Sequence, residues 1–147
     1  MLTESTLVRD ATEFLRLDPM RVDEEDAAAD VARQFASHPD ARVIYVVDRA
    51  NRLRGAIPAS EVPSGTPRAV EAEFNEDGEI FPERVTDTVA RDIMRPAVQV
   101  VMDEPLVDVL SKMYENEAEE IAVVDADGRL VASLDAVRVL SAWAHQV

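Results

Sequence analysis

Carboxylates are the side chains with which this sequence is best equipped to do chemistry. Asp and Glu number 30 against 15 Lys and Arg, giving a formal net charge of −15. One run, Asp125-Ala126-Asp127-Gly128, superficially suggests a calcium loop. Such a loop needs its glycine at the sixth position and an acidic residue at the twelfth. Here the glycine comes too early and nothing acidic closes the loop, so the run reads as a hairpin turn. Most other carboxylates sit in charged runs such as Glu115 to Glu120, which are far more often solvated surface than acid/base machinery. His38 and His145 have no third metal ligand nearby, and Ser133 lacks a nucleophile-elbow setting. With only 4 glycines there is no glycine-rich phosphate loop. Zero cysteines excludes disulfides, thiolate zinc sites and thiol catalysis. The expectation is a non-enzymatic protein with neither a catalytic nor a metal site.

At 147 residues and 47% apolar, the chain is globular in class and long enough for one core or two small ones packed together. No apolar run approaches the roughly 20 residues that span a bilayer. The first residues, MLTESTLVRDATEF, have neither the basic start nor the apolar centre of a signal peptide. A cytoplasmic protein without a membrane segment is expected. The negative charge opposes binding to a nucleic-acid backbone. Arginine outnumbers lysine 14 to one, the single lysine being Lys112. That bias fits salt adaptation, a high-GC source or plain solubility, with divalent cation binding on the acidic face a weaker alternative.

The apolar pattern supplies the elements that would position any site. Residues 1–13 read as a helical lead-in, stopped by Asp18-Pro19. A very short strand at Met20–Val22 precedes a helix that starts at the acidic cluster Asp23 to Asp26 and buries Ala28, Val31, Ala32 and Phe35. Val43 to Val47 is a continuous apolar run, as in a strand covered on both faces, and Leu53 to Ile57 a second strand. Later come a strand at Val98–Val101 and a helix from Pro105 with Leu106, Val109, Leu110 and Met113 as its buried stripe. Strands at Ile121–Val124 and Leu130–Leu134 follow, then a final helix with Val137, Leu140 and Trp143 on one face. Tyr114 and Trp143 read equally well as interface anchors or as core.

These elements form a duplication. Ile44-Tyr45-Val46-Val47-Asp48 matches Ile121-Ala122-Val123-Val124-Asp125 at an offset of 77, which also pairs Arg52 with Arg129, Leu53 with Leu130 and Gly55 with Ala132. Upstream an offset of 78 pairs Leu15 with Ile93, Val22 with Val100, Val31 with Val109 and Phe35 with Met113. Residues 63–88 fit neither copy. Val70, Ala72 and Phe74 alternate with Glu71 and Glu73 before Asn75-Glu76-Asp77-Gly78, so the segment reads as an inserted hairpin or as an acidic linker.

Arg91-Asp92-Ile93-Met94, the helix from Pro105, Ala122-Val123-Val124-Asp125 and Gly128-Arg129-Leu130-Val131 resemble a cystathionine-β-synthase (CBS) domain. The first copy resembles it through Tyr45-Val46-Val47-Asp48 and Leu53-Arg54-Gly55. The resemblance implies an α/β (α+β) fold of two pseudo-twofold-related domains, each strand-helix-strand-strand-helix. The first would occupy residues 1–62 and the second 89–147, with residues 63–88 inserted between them. It also implies a sensory or regulatory module, a homodimer, and a cleft for an adenosine-containing ligand such as AMP, ATP or S-adenosylmethionine. Its partner would be a regulated enzyme, transporter or channel.

For such a ligand, Ile44, Tyr45, Ile93, Met94, Ile121 and Ala122 would line apolar slots for the base. The family pattern then places a hydroxyl residue, and three residues on a carboxylate, just after the second hairpin strand. Those positions fall on Pro58 and Glu61 in the first copy and on Asp135 and Arg138 in the second. Pro58 has no hydroxyl, and Asp135 would repel a phosphate. Arg138 cannot accept a hydrogen bond from ribose, whereas Glu61 can. Asp135 and Arg138 alternatively read as a surface ion pair on one helix face. A ligand-free scaffold making protein contacts and a divalent-cation sensor are the competing functions.

Overall fold

The structure, a computed structural model, describes residues 2–60 and 88–145. The hairpin expected within 63–88 lies outside the described residues, as does Glu61. The strands are β1 (Leu15–Arg16), β2 (Arg21–Asp23), β3 (Val43–Val47), β4 (Leu53–Pro58), β5 (Gln99–Val101), β6 (Glu120–Val124) and β7 (Leu130–Asp135). The helices are α1 (Ala28–Ser37), α2 (Ala90–Ile93), α3 (Leu106–Asn116) and α4 (Ala136–Ala144). The mixed α/β class expected from the sequence is thus present. The chain divides into two compact units that do not follow chain order. One comprises Met1–Pro19, Ala50–Leu53 and Ala97–Val147; the other comprises Met20–Arg49 and Arg54–Pro96.

The unit around the second repeat carries a sheet in the order β1-β7-β6-β5. β5 and β6 run parallel, with Val100 beside Val123, which requires a crossover, and α3 provides it. β6 and β7 form an antiparallel hairpin with Ile121 opposite Leu134. Alternation along the strands sends Ile121, Val123, Ala132 and Leu134 to one face, where they meet Leu106 and Val109 of α3 and Ala136 and Val139 of α4. Ala122 and Val124, on the opposite face, are buried too, which is why the run reads as continuously apolar.

Two expectations fail in this unit. The lead-in is not one continuous helix but two short 3-10 helices, Val8–Asp10 and Thr12–Phe14, followed by β1. Its amides are taken from outside the segment: Val8 N donates to Glu104 O at 2.9 Å and Arg9 N to Met102 O at 3.0 Å. A continuous helix would need those amides for its own ladder. In α4 the buried residues are Ala136 and Val139, while Val137 and Leu140 are 41% and 45% exposed. The expected stripe of Val137 and Leu140 is rotated about the helix axis from the face that packs on the sheet, which carries Ala136 and Val139 at helical spacing.

The other unit carries the sheet β2-β3-β4. β2 runs parallel to β3 with Val22 beside Val46, joined by the crossover α1. Its core is Val22, Val31, Ile44, Val46, Ile57 and Ala90, with Met20, Phe35, Ile93 and Met94 packed against it. Here too a lead-in contributes, since α2 is the start of the second repeat. The first amide of α1, Ala28 N, donates to Thr88 O at 2.9 Å, and Ala90 N returns a bond to Asp26 O at 2.8 Å. In the second-repeat unit, Leu106 N of α3 donates to Thr6 O at 2.7 Å. Each helix thus has one of its orphan N-terminal amides satisfied by the lead-in of the other repeat. Ion pairs repeat the pattern, Arg91 with Glu25 in one unit and Arg9 with Asp103 in the other.

Candidate ligand-binding site

Residues expected to line a site fall into two sets, one in each unit. In the first-repeat unit, Ile44 is fully buried within the core, and Ile93 and Met94 pack half-buried against that core. Tyr45 points to the other face of β3, 2% exposed, and its amide donates to Met20 O at 2.9 Å. Pro58 ends β4, half-buried, and offers no amide donor there.

What holds Met94 over β4 is Gly55. A Cβ at that position would stand 2.7 Å from Arg95 O and 2.8 Å from Met94 Sδ. The absent side chain lets the chain after α2 lie against the strand. There Ala56 N donates to Arg95 O at 2.9 Å and Arg95 N to Ala56 O at 2.8 Å. The result is that Met94 lies against β4, with Ile93 beside it in the chain and packed on the same core. Such apolar side chains suit a flat aromatic base but carry no nucleophile or acid of their own.

In the second-repeat unit, Ile121 lies in the core and Ala122 is fully buried on the opposite face. Asp135 and Arg138 lie together at the β7–α4 junction, though not as a side-chain ion pair. Asp135 is the N-cap of α4, and its Oδ1 accepts from Arg138 N at 3.1 Å. The Arg138 guanidinium sits over the ring of Phe14, 5.8 Å from its centroid, a cation–π arrangement. Both residues therefore have structural duties. The Asp125–Gly128 run is a turn, as expected: Asp125 Oδ1 accepts from Asp127 N and Arg129 N, both at 2.9 Å, and Gly128 takes φ 81.

Two participants were not singled out from the sequence. Gly55 left a signal, because its partner in the duplication is Ala132, so both copies place a small residue at this point of the hairpin. Phe14 beneath Arg138 left none, since the pairing joins residues far apart in the chain. Among the described residues, no group of three or more His, Asp or Glu is placed to hold a metal ion. No helix among them is long and apolar enough to cross a membrane.

Residues 90–145, including α2, α3, the β6–β7 hairpin and α4, match the family model of the CBS domain. This part of the chain is a CBS domain. Among curated protein sequences none matches the chain. A CBS domain-containing protein from Thermotoga maritima is 27% identical, with 95% of each chain covered and a TM-score of 0.70. The cytosolic domain of the Mg2+ channel MgtE, solved with ATP, is 25% identical with a TM-score of 0.68. That comparison covers 90% of this chain but 48% of the other. The CBS domain pair of protein MJ0100, in complex with 5′-methylthioadenosine and S-adenosyl-L-methionine, has a TM-score of 0.68 at 19% identity, covering 94% and 99% of the two chains. At that identity the likeness is one of fold, and the fold is that of a CBS-domain pair.

Proposed function

We propose that this CBS-domain pair is a regulatory module that binds an adenosine-containing ligand, AMP, ATP or S-adenosylmethionine, on its first repeat. The observation that carries the reading is Met94 laid against Gly55 of β4, with Ile93 packed on the same core. Glu61, three residues beyond Pro58, would supply the carboxylate for the ribose hydroxyls, because a carboxylate accepts from two donors at once. The second repeat is the poorer site. Its corresponding residues are the helix cap Asp135, whose charge opposes a phosphate, and the cation Arg138, which has no acceptor for ribose. The relatives with ATP and with S-adenosyl-L-methionine support the ligand class.

A non-catalytic role follows from this reading. Occupancy would shift the population between arrangements of the module, and a partner would respond to the favoured one. Neighbours described as a Mg2+ channel domain and as part of a Mg2+ transporter family favour a transporter or channel as that partner. Titration calorimetry with AMP, ATP and S-adenosylmethionine tests the binding step. Saturable heat with at least one ligand is expected, weakened about tenfold or more by Glu61→Gln, as for loss of a charged hydrogen-bond acceptor. Absence of heat from all three at millimolar concentration would sink the reading.

A further inference from the structure

Arg52 and Arg129, equivalent positions in the two repeats, stand directly opposite each other in an antiparallel bridge. The hydrogen bonds flank the pair and do not join it: Leu53 N donates to Gly128 O and Leu130 N to Asn51 O, both at 2.9 Å. That pattern defines a non-hydrogen-bonded position, where opposed Cα atoms are about 4.5 Å apart and side chains come closest. Both side chains leave the same face of the ladder, and both residues are exposed. Like charges directly opposite one another destabilise a ladder.

The backbone holds them there firmly. Asn51 takes φ 64, and its Nδ2 donates to Leu130 O at 3.0 Å, while Gly128 takes φ 81. The adjacent carboxylate, Asp125, turns Oδ1 to the backbone amides of its own turn. Two arginines are thereby set at facing backbone positions in a chain whose net charge is −15.

We propose that Arg52 and Arg129 together form a binding site for the phosphate group of a small molecule. A guanidinium carries five donors in a planar fork, so engagement of one edge leaves others for an oxyanion. Two forks on one face can each give paired N–H···O bonds to one tetrahedral phosphate. A phosphate dianion neutralises both charges, whereas a single carboxylate neutralises one. The excess negative charge of the chain repels an extended polyanion, so the ligand is a small phosphate compound and not a nucleic acid.

The test uses inorganic pyrophosphate, which has no adenosine, so its outcome is independent of the adenosine reading. Melting of the full chain is followed against pyrophosphate, with sodium chloride at matched ionic strength as the reference. The wild type is expected to melt progressively higher with pyrophosphate. Arg129→Gln should weaken the response about tenfold, the scale of one lost charge-assisted pair, and Arg52→Gln/Arg129→Gln should abolish it. Without pyrophosphate, Arg129→Gln should melt no lower than wild type, because it relieves a like-charge contact. Glu61→Gln should respond as wild type does. A wild-type response equal to that in salt, an undiminished response in the double variant, or its loss in Glu61→Gln would each overturn the proposal.

Discussion

Asp135 Oδ1 accepts a hydrogen bond from Arg138 N at 3.1 Å, and this places the two residues at the cap of α4. Ser, Thr, Asp and Asn caps contribute typically about 1 kcal/mol over alanine, because one of the helix's orphan amides is otherwise left without a protein partner. Asp135→Ala is therefore expected to lower the stability of the protein by about 1 kcal/mol in denaturant titration, and Asp135→Asn to restore most of it. If Asp135 instead served mainly to contact a ligand, Asp135→Ala would leave the unliganded protein unchanged.

Gly55 makes a sharper prediction. A methyl group there meets a backbone carbonyl, Arg95 O, at 2.7 Å, and a carbonyl held by the bridge to Ala56 N cannot swing aside as a side-chain tip can. Gly55→Ala should cost about 1–3 kcal/mol, the usual range for overpacking. It should also weaken any adenosine ligand, since Met94 would lift from β4. A stable variant with unaltered ligand affinity would separate that contact from binding.

Lys112, the single lysine, ties α3 back to β5. Its Nζ donates to Gln99 O at 3.1 Å and to Glu104 Oε2 at 3.1 Å, while Glu104 Oε1 accepts from Val101 N at 3.2 Å. The pair is partly exposed, so its ionic component is worth about 0.2–1 kcal/mol and is screened by salt. Lys112→Met should destabilise by about 1 kcal/mol at low ionic strength, the scale of one such ion pair, and by less in molar sodium chloride. An undiminished penalty in high salt would place the effect in packing of the side-chain stem instead.

Much of this fold was legible in the sequence, for an identifiable reason. Strands buried on both faces, such as Val43–Val47 and Glu120–Val124, announce themselves by unbroken apolar runs, and the turn at Asp125–Gly128 by its chemistry. Their recurrence at a fixed offset exposed the duplication. The stripe on α4 was misread because Ala136 contributes little apolar signal although it is fully buried, whereas Leu140 contributes much although it is 45% exposed. Likewise Tyr114, open to either reading in the sequence, is 85% exposed. The partners of the lead-in segments were beyond reach, since local pattern read this stretch as a helical lead-in ending at Asp18-Pro19 and carries no sign that Leu15–Arg16 pairs with Leu134 and Ser133. For the site, residue types were legible but their duties were not: the capping role of Asp135 and the position of Arg138 over Phe14 depend on tertiary neighbours.

The exchanged lead-ins carry the last prediction. Val8 and Phe14 belong to the same buried cluster as Ile121, Leu134 and Val139, and Thr6 O accepts from the first amide of α3. Residues matching the family model begin at 90, yet the unit built on β5, β6 and β7 is closed on one side by residues from the start of the chain. A fragment of residues 89–147 should therefore fail to fold cooperatively by circular dichroism and thermal melting. Removal of Val8 and Phe14 side chains alone removes two core members, and large-to-small core changes cost about 2–5 kcal/mol each. A peptide spanning residues 1–19, added in excess to the fragment, should restore a cooperative melt that rises with peptide concentration. In the same assay, peptides with Phe14→Ala or Val8→Ala should restore it poorly, and one with the exposed Glu13→Ala should work as well as the parent. Cooperative folding of residues 89–147 alone would show that the lead-in decorates a core that is already complete.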